Sequence, residues 1–117
     1  MSKRKPDVYL QDILESIGQI EEYLDDITEN EFYQNSEKQD AVLRRLEIIG
    51  EAVKHISDDI RDKHDKVPWR KIAGMRDIII HEYFGVTLSM IWVVARRDLP
   101  RLKSKIQDII NNQNTNS

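Results

Sequence analysis

Between residues 10 and 27, apolar side chains recur three and four places apart: Leu10, Ile13, Leu14, Ile17, Ile20, Leu24 and Ile27. A strand would need alternation by two, whereas a period near 3.6 gathers all seven on one face of a helix. The other face carries Asp12, Glu15, Glu22 and Asp25. The segment therefore predicts an amphipathic helix of about five or six turns, with Asp7 placed to cap its start and "ITEN" near its end. Such a stripe must be buried against a partner, and the chain supplies one. Val42, Leu46, Ile49, Val53 and Ile56 form a second stripe. It is preceded by "SEKQ", Ser36 to Gln39, which has the form of a capping box. Gly50 and Ala52 are small and suit a close approach of two helices.

The remaining segments continue the helical pattern. "DDIRDKHDKVP" reads as a polar connection with a short helical turn. Pro68 suits the first turn of a third helix, "PWRKIAGMRDIIIHEYF", which Gly85 is placed to end. Thr87 can cap a fourth helix holding Leu88, Ile91, Trp92, Val93 and Val94. Pro100 cannot continue that helix without a kink, so Asp98 is expected to cap a fifth, "DLPRLKSKIQDII". "NNQNTNS", residues 111–117, is expected to be a disordered polar tail. Strand-like alternation is absent from the sequence. The expected fold is all-α: one domain over residues 1–117, an up-and-down bundle of about five helices built on two long antiparallel ones.

The totals narrow the chemistry. With no cysteine among 117 residues, disulfides, thiolate metal sites and a cysteine nucleophile are excluded. The 18 basic and 21 acidic residues leave a net charge of −3, so nothing global draws in nucleic acid, and any such contact needs a local basic patch. The basic start "MSKRKPDVYL" is followed by no apolar core, so no secretory signal is read. No apolar run approaches the roughly 20 residues that span a bilayer. A cytoplasmic protein without membrane contact is the expectation.

One stretch combines burial with reactive groups. In "GMRDIIIHEYFG", Arg76, Asp77, His81, Glu82 and Tyr83 surround the apolar run Ile78 to Ile80. A bland account exists: an arginine at the rim of a buried helix, a histidine favoured by the helix C-terminus, and a tyrosine with its hydroxyl outward. Spacing adds a constraint. Arg76 and His81 are five residues apart, about 140° around an ideal helix, so they converge poorly within one chain. Two copies facing each other across a two-fold axis would converge more readily. Imidazole exchanges a proton near neutral pH. Guanidinium matches phosphate oxygens and stabilises the added charge of a phosphorane. RNA brings its own nucleophile, the 2′-hydroxyl, so such a pair can cut RNA with no metal and no cofactor. His55 and His64 lack ligand spacing to His81 and read as surface histidines. Trp69 and Trp92 read as core or interface anchors, and Met75 and Met90 as gap-fillers. Arg96, Arg97, Arg101, Lys103 and Lys105 form the densest basic cluster, which Arg70 and Lys71 could extend. It is either a solvated face or a path for RNA.

Arg76–Asp77–Ile78–Ile79–Ile80–His81 resembles the signature of the HEPN superfamily: arginine, a polar residue, three more, then histidine. "LRRLEIIGEAVKHIS", "VPWRKIAGMRDIIIHEYFG" and "IWVVARRDLPRLKSKI" resemble, in order, blocks of its HepT-like branch, covering roughly residues 40–106. Tyr83 fills the tyrosine of that branch's Arg-x4-His-x-Tyr motif, and Asp77 stands where many relatives have Asn.

The resemblance implies a homodimeric toxin of a type VII toxin–antitoxin pair, with ribonuclease activity at the dimer cleft. It implies Arg76 and His81 as the catalytic pair, with Asp77 supporting them. The implied partner is a minimal nucleotidyltransferase antitoxin (MntA-like) that transfers AMP from ATP to Tyr83. Arg96, Arg97 and Arg101 are the candidates for holding the RNA substrate. Two other readings keep the resemblance and change the role: a non-catalytic HEPN interaction module, or a substrate-binding subunit for the transferase.

Overall fold

The structure is a computed structural model that describes the backbone of residues 6–81 and 87–115 and the side chains of 8–75 and 87–112. The chain forms helices α1 (Pro6–Leu24), α2 (Glu29–Tyr33), α3 (Ser36–Lys54), α4 (Asp58–Lys63), α5 (Trp69–His81) and α6 (Leu88–Val93). A π-helical turn, Val94–Asp98, then leads into α7 (Leu99–Thr115). There is no strand among the described residues. This is the all-α, up-and-down bundle that the helical periods predict.

The two predicted stripes meet each other. Leu10, Ile13, Ile17, Ile20 and Leu24 of α1 are buried, as are Val42, Leu46, Ile49 and Val53 of α3. Burying one such side chain contributes roughly 1.5–3 kcal/mol, so this pair of faces holds the bundle together. The pair is antiparallel: Tyr9, near the start of α1, stacks on His55, just past the end of α3, with ring centroids 4.9 Å apart. α5 packs on α3, and α7 packs on α1. The buried cluster runs from Leu10 to Ile109 and takes in Leu99, Leu102 and Ile106 of α7.

Several boundaries differ from expectation, each for a local reason. α1 stops at Leu24, and a five-residue helix, α2, follows it. Thr28 caps α2 in a full capping box: its hydroxyl accepts from the Glu31 N–H, and the Glu31 carboxylate accepts from the Thr28 N–H. Ile27 accordingly lies outside α1, yet it still packs against the core.

The second capping box is replaced by another arrangement. Asn35, not Ser36, caps α3, accepting from the Lys38 N–H at 3.0 Å. Asn caps as well as Ser does and stands one residue earlier. Gln39, expected to complete the box, instead donates to the Phe32 and Tyr33 carbonyls at 3.0 and 3.1 Å. It thereby ties the end of α2 to the first turn of α3, and the Phe32 carbonyl accepts from the Asn35 N–H as well.

Ser57 caps α4, the short turn expected in the polar connection. Pro68 precedes α5, its carbonyl accepting the first bond of that helix from the Ile72 N–H. Thr87 caps α6 as expected. The expected last helix is α7, with Pro100 in its first turn, but it runs on from the turn before it without a break, and Asp98 lies at the end of the π-turn rather than at a cap. Pro100 has no N–H for the carbonyl four residues back, and its ring crowds that carbonyl. The π-turn relieves both problems by lengthening the ladder: the Leu99 N–H reaches the Val94 carbonyl, five residues back. α7 then runs to Thr115, into the polar segment 111–117. Met90, read as a gap-filler, is 54% exposed, on the outer side of the short α6. No helix among the described residues is long and apolar enough to cross a membrane.

Candidate active site

α5 carries the Arg76–His81 motif, and its start is tightly fixed. Trp69 is buried, and its indole N–H donates to the His64 carbonyl at 3.0 Å. Ile72 is buried one turn on. The helix persists through His81. Arg76 and His81 therefore stand on one regular helix, about 140° apart around its axis. The side chains of Arg76, Asp77 and His81 lie outside the described residues, as does all of Tyr83.

The basic cluster is divided by the fold. Arg96 faces the bundle: its guanidinium donates to the Leu24 carbonyl at 3.3 Å and lies 5.2 Å from the centre of the Trp92 ring. Trp92 packs on Phe32 in turn, ring centroids 5.6 Å apart. Lys103 also faces α1, pairing with Glu21 at 2.9 Å. Arg97, Arg101 and Lys105 take another face. Together with Lys71 of α5 they line a groove of about 280 Å³ between the start of α5 and the π-turn with α7. Its apolar lining includes Met75, Leu99 and Leu102. Arg97 is paired with its neighbour Asp98 at 3.4 Å, and Lys105 donates to the Lys66 carbonyl at 3.3 Å. Met75, expected as a gap-filler, is half-buried in the groove wall and immediately precedes Arg76. The periodicity of the cluster holds the signal for this division, since Arg97, Arg101 and Lys105 are four apart while Arg96 and Lys103 are seven apart. Which row meets α1 depends on packing.

A second, more polar depression of about 340 Å³ lies between α1 and α3, lined by Tyr9, Asp12, Arg44, Glu47 and His55 among others. His55 there stacks on Tyr9 and contacts Glu51 at 3.3 Å. This is a structural role, in keeping with its reading as a surface histidine. His64 forms the C-cap of α4. No group of three or more His, Cys, Asp or Glu among the described residues could hold a metal ion.

The family model described as "Ribonuclease HepT-like" matches residues 13–109, nearly the whole bundle and all of Arg76 to His81. This chain belongs to the HepT-like family. Among curated relatives, it is 50% identical over 103 residues to a "Gamma-glutamylcyclotransferase and putative RNase" of Methanocaldococcus jannaschii, covering 88% of this chain and 46% of the relative. The chain thus spans about half the length of that relative. It is 44% identical over 107 residues to a "Probable ribonuclease HepT" of Thermococcus cleftensis, covering 92% of this chain and 97% of the relative. No solved structure matches the chain.

Proposed function

We propose that this HepT-like protein is a cytoplasmic endoribonuclease that acts as the toxin of a type VII toxin–antitoxin pair. The observation that carries the reading is the family match across residues 13–109, which includes Arg76 and His81, both on the single helix α5. The relatives named as ribonucleases support the substrate class.

The chemistry follows from the two side chains. His81 takes the proton of a ribose 2′-hydroxyl, and the 2′-oxygen attacks the adjacent phosphorus. Arg76 stabilises the phosphorane, whose charge exceeds that of the ground state. The bond from phosphorus to the 5′-oxygen then breaks and the leaving oxygen takes up a proton. The products are a 2′,3′-cyclic phosphate and a 5′-hydroxyl. No electron changes hands, and the step requires no metal. Because Arg76 and His81 diverge on one helix, the site is built at a two-fold cleft between two copies, each supplying both residues. Asp77 supports the pair from the neighbouring position.

Tyr83, two residues past His81, is the switch. Its phenol oxygen attacks the α-phosphorus of ATP in the active site of a minimal nucleotidyltransferase, releasing pyrophosphate and leaving AMP on the tyrosine. The added anion blocks the cleft sterically and repels the RNA backbone. The deciding experiment is cleavage of a mixed RNA pool by the wild type and by His81→Ala in the presence of EDTA. Cleavage by the wild type alone is the expected result; equal cleavage by both removes His81 from the mechanism.

A further inference from the structure

We infer that the groove between α5 and the π-turn with α7 is a binding track for single-stranded RNA, holding the strand beside the phosphate that is cut. The inference rests on the ribonuclease reading for its biological purpose but not for its test.

Three observations meet at this groove. The first is charge in a row. Arg97, Arg101 and Lys105 are exposed and succeed one another every four residues, about 6 Å apart along the helix axis. Lys71 faces them from α5, and against these four cations Asp98 is the one carboxylate among the described residues of the lining. In a chain of net charge −3, this is local attraction for a polyanion. Arg101 and Lys71 make no ion pair among the described residues. The second observation is the floor. Exposed Pro68 and half-buried Met75 and Val94 give the groove an apolar base between its cations, with buried Leu99 and Leu102 behind them. A phosphate-only surface needs no such floor, whereas a nucleobase can lie on one with its edges toward solvent. The third is continuity with the motif. The groove reaches Met75, and the next residue in α5 is Arg76. A strand lying in the groove is therefore delivered to the segment that carries the reactive pair.

The π-turn is part of the construction. It supplies Val94, Arg97 and Asp98 to the groove wall while carrying the chain past Pro100 without a break. Single π-turns inserted in longer helices are frequent where a helix serves a site. Here the turn joins α6 to α7 so that Arg96 faces Trp92 and the Leu24 carbonyl while Arg97 faces the groove. An acidic peptide would satisfy the cations equally well, but it would gain nothing from adjacency to Arg76. RNA, which has to pass that residue to be cut, gains from it.

The test is equilibrium binding of a fluorescent single-stranded RNA as a function of salt, using the full chain. The probe is a mixed-sequence oligonucleotide whose reacting 2′-hydroxyls are replaced by 2′-O-methyl groups, so binding is read without cleavage. The groove variant is Arg97→Gln, Arg101→Gln and Lys105→Gln together. The control removes three cations elsewhere on the surface: Lys38→Gln, Arg44→Gln and Lys63→Gln. The groove variant should bind about tenfold or more weakly at moderate salt, and its slope of log affinity against log salt should fall by about 2, the value for three phosphate contacts on a single strand. The control should lose much less of either. Circular dichroism and light scattering on the same samples check folding and oligomeric state. A groove variant that binds like the wild type, or only as weakly as the control, overturns the track. So does a groove variant whose oligomeric state changes, because the groove is then a contact between copies. If folding suffers, Arg101→Gln alone is read instead, with a slope change of about 0.7 expected and no change overturning the track. The outcomes separate from those of the ribonuclease reading. Wild type that binds the probe through the groove yet leaves unmodified RNA intact defeats only that reading; wild type that cuts RNA with groove variants binding normally defeats only the track.

Discussion

Trp69 donates its indole N–H to the His64 carbonyl at 3.0 Å, tying the first residue of α5 to the C-cap of α4. The ring itself is buried against the core. The bond therefore fixes where the motif helix begins, and with it the position of Arg76 seven residues on. Trp69→Phe keeps an aromatic ring but removes the donor and part of the volume. It should destabilise the fold by about 1–3 kcal/mol. Urea unfolding followed by far-ultraviolet circular dichroism measures this, and an unchanged midpoint would show that the bond contributes nothing.

Arg96 and Arg101 offer a paired comparison, since both are basic and they sit five residues apart. Arg96 holds the Leu24 carbonyl and the Trp92 face, whereas Arg101 lines the groove. Arg96→Gln should cost about 1–2 kcal/mol of stability through the lost carbonyl bond and the lost cation–π contact. Arg101→Gln should leave stability within about 0.5 kcal/mol, as most exposed substitutions do. Thermal melts of the two variants side by side decide the matter. Equal losses would mean that the division of the basic cluster is energetically empty.

The fold was largely readable from periodicity, because a stripe such as Leu10, Ile13, Ile17, Ile20 and Leu24 leaves a helix few places to put its other residues. The boundaries were less readable where two local signals compete. Thr28–Glu31 and Ser36–Gln39 both have the form of a capping box, yet only the first is one, because Asn35 takes the second cap and Gln39 turns back to α2. Pro100 illustrates a different limit. Its missing N–H dictates a defect in the ladder but not which one, and the π-turn keeps the helix going where a break was expected. Arg76 and His81 stand out in the sequence by their spacing and chemistry as well as by resemblance. The groove does not, because it is made by two elements that are 26 residues apart at Lys71 and Arg97. Only packing brings Lys71 and Met75 opposite Arg97 and Arg101.

Tyr33 gives a titration that checks the geometry of α2. Its phenol donates to the Glu29 carboxylate one turn earlier, and that hydrogen bond, with a smaller effect of partial burial and of the carboxylate charge, raises its pKa above the ordinary tyrosine value. The proton is held more tightly in the folded protein, so Tyr33 should ionise later than an unperturbed tyrosine as pH rises. Ultraviolet difference titration should show this late component in the wild type and lose it in Tyr33→Phe. Glu29→Gln removes the charged acceptor and should move the component to lower pH. If it stays in place, the carboxylate is not its cause.

The catalytic proposal makes a quantitative demand on Arg76. If the guanidinium acts mainly on the phosphorane, Arg76→Ala should lower the cleavage rate by about 100-fold or more, on the order of 3 kcal/mol, with a smaller effect on RNA affinity. His81→Ala should abolish cleavage by removing the proton carrier. Both variants should retain wild-type circular dichroism. An Arg76→Ala enzyme whose defect lies wholly in binding, and disappears at saturating RNA, would assign Arg76 to holding the substrate instead.

Tyr83 carries the regulatory half of the proposal. Transfer of AMP would leave a phosphodiester on the phenol oxygen, adding one negative charge and the bulk of a nucleoside two residues from His81. That phosphate can occupy the Arg76 fork, which would otherwise receive RNA, and its charge opposes the incoming backbone. Inhibition of this kind needs no refolding, so modified and unmodified protein should have the same circular dichroism and the same melting behaviour to within a few degrees. Tyr83→Phe deletes the single acceptor oxygen and leaves Arg76 and His81 in the sequence. It should cut RNA at the wild-type rate and keep cutting after incubation with a cognate minimal nucleotidyltransferase and ATP, while the wild type falls silent. Intact-mass measurement should find AMP on the wild type and none on Tyr83→Phe. Modification of both proteins alike, or a modified wild type that still cuts, would place the switch on another residue.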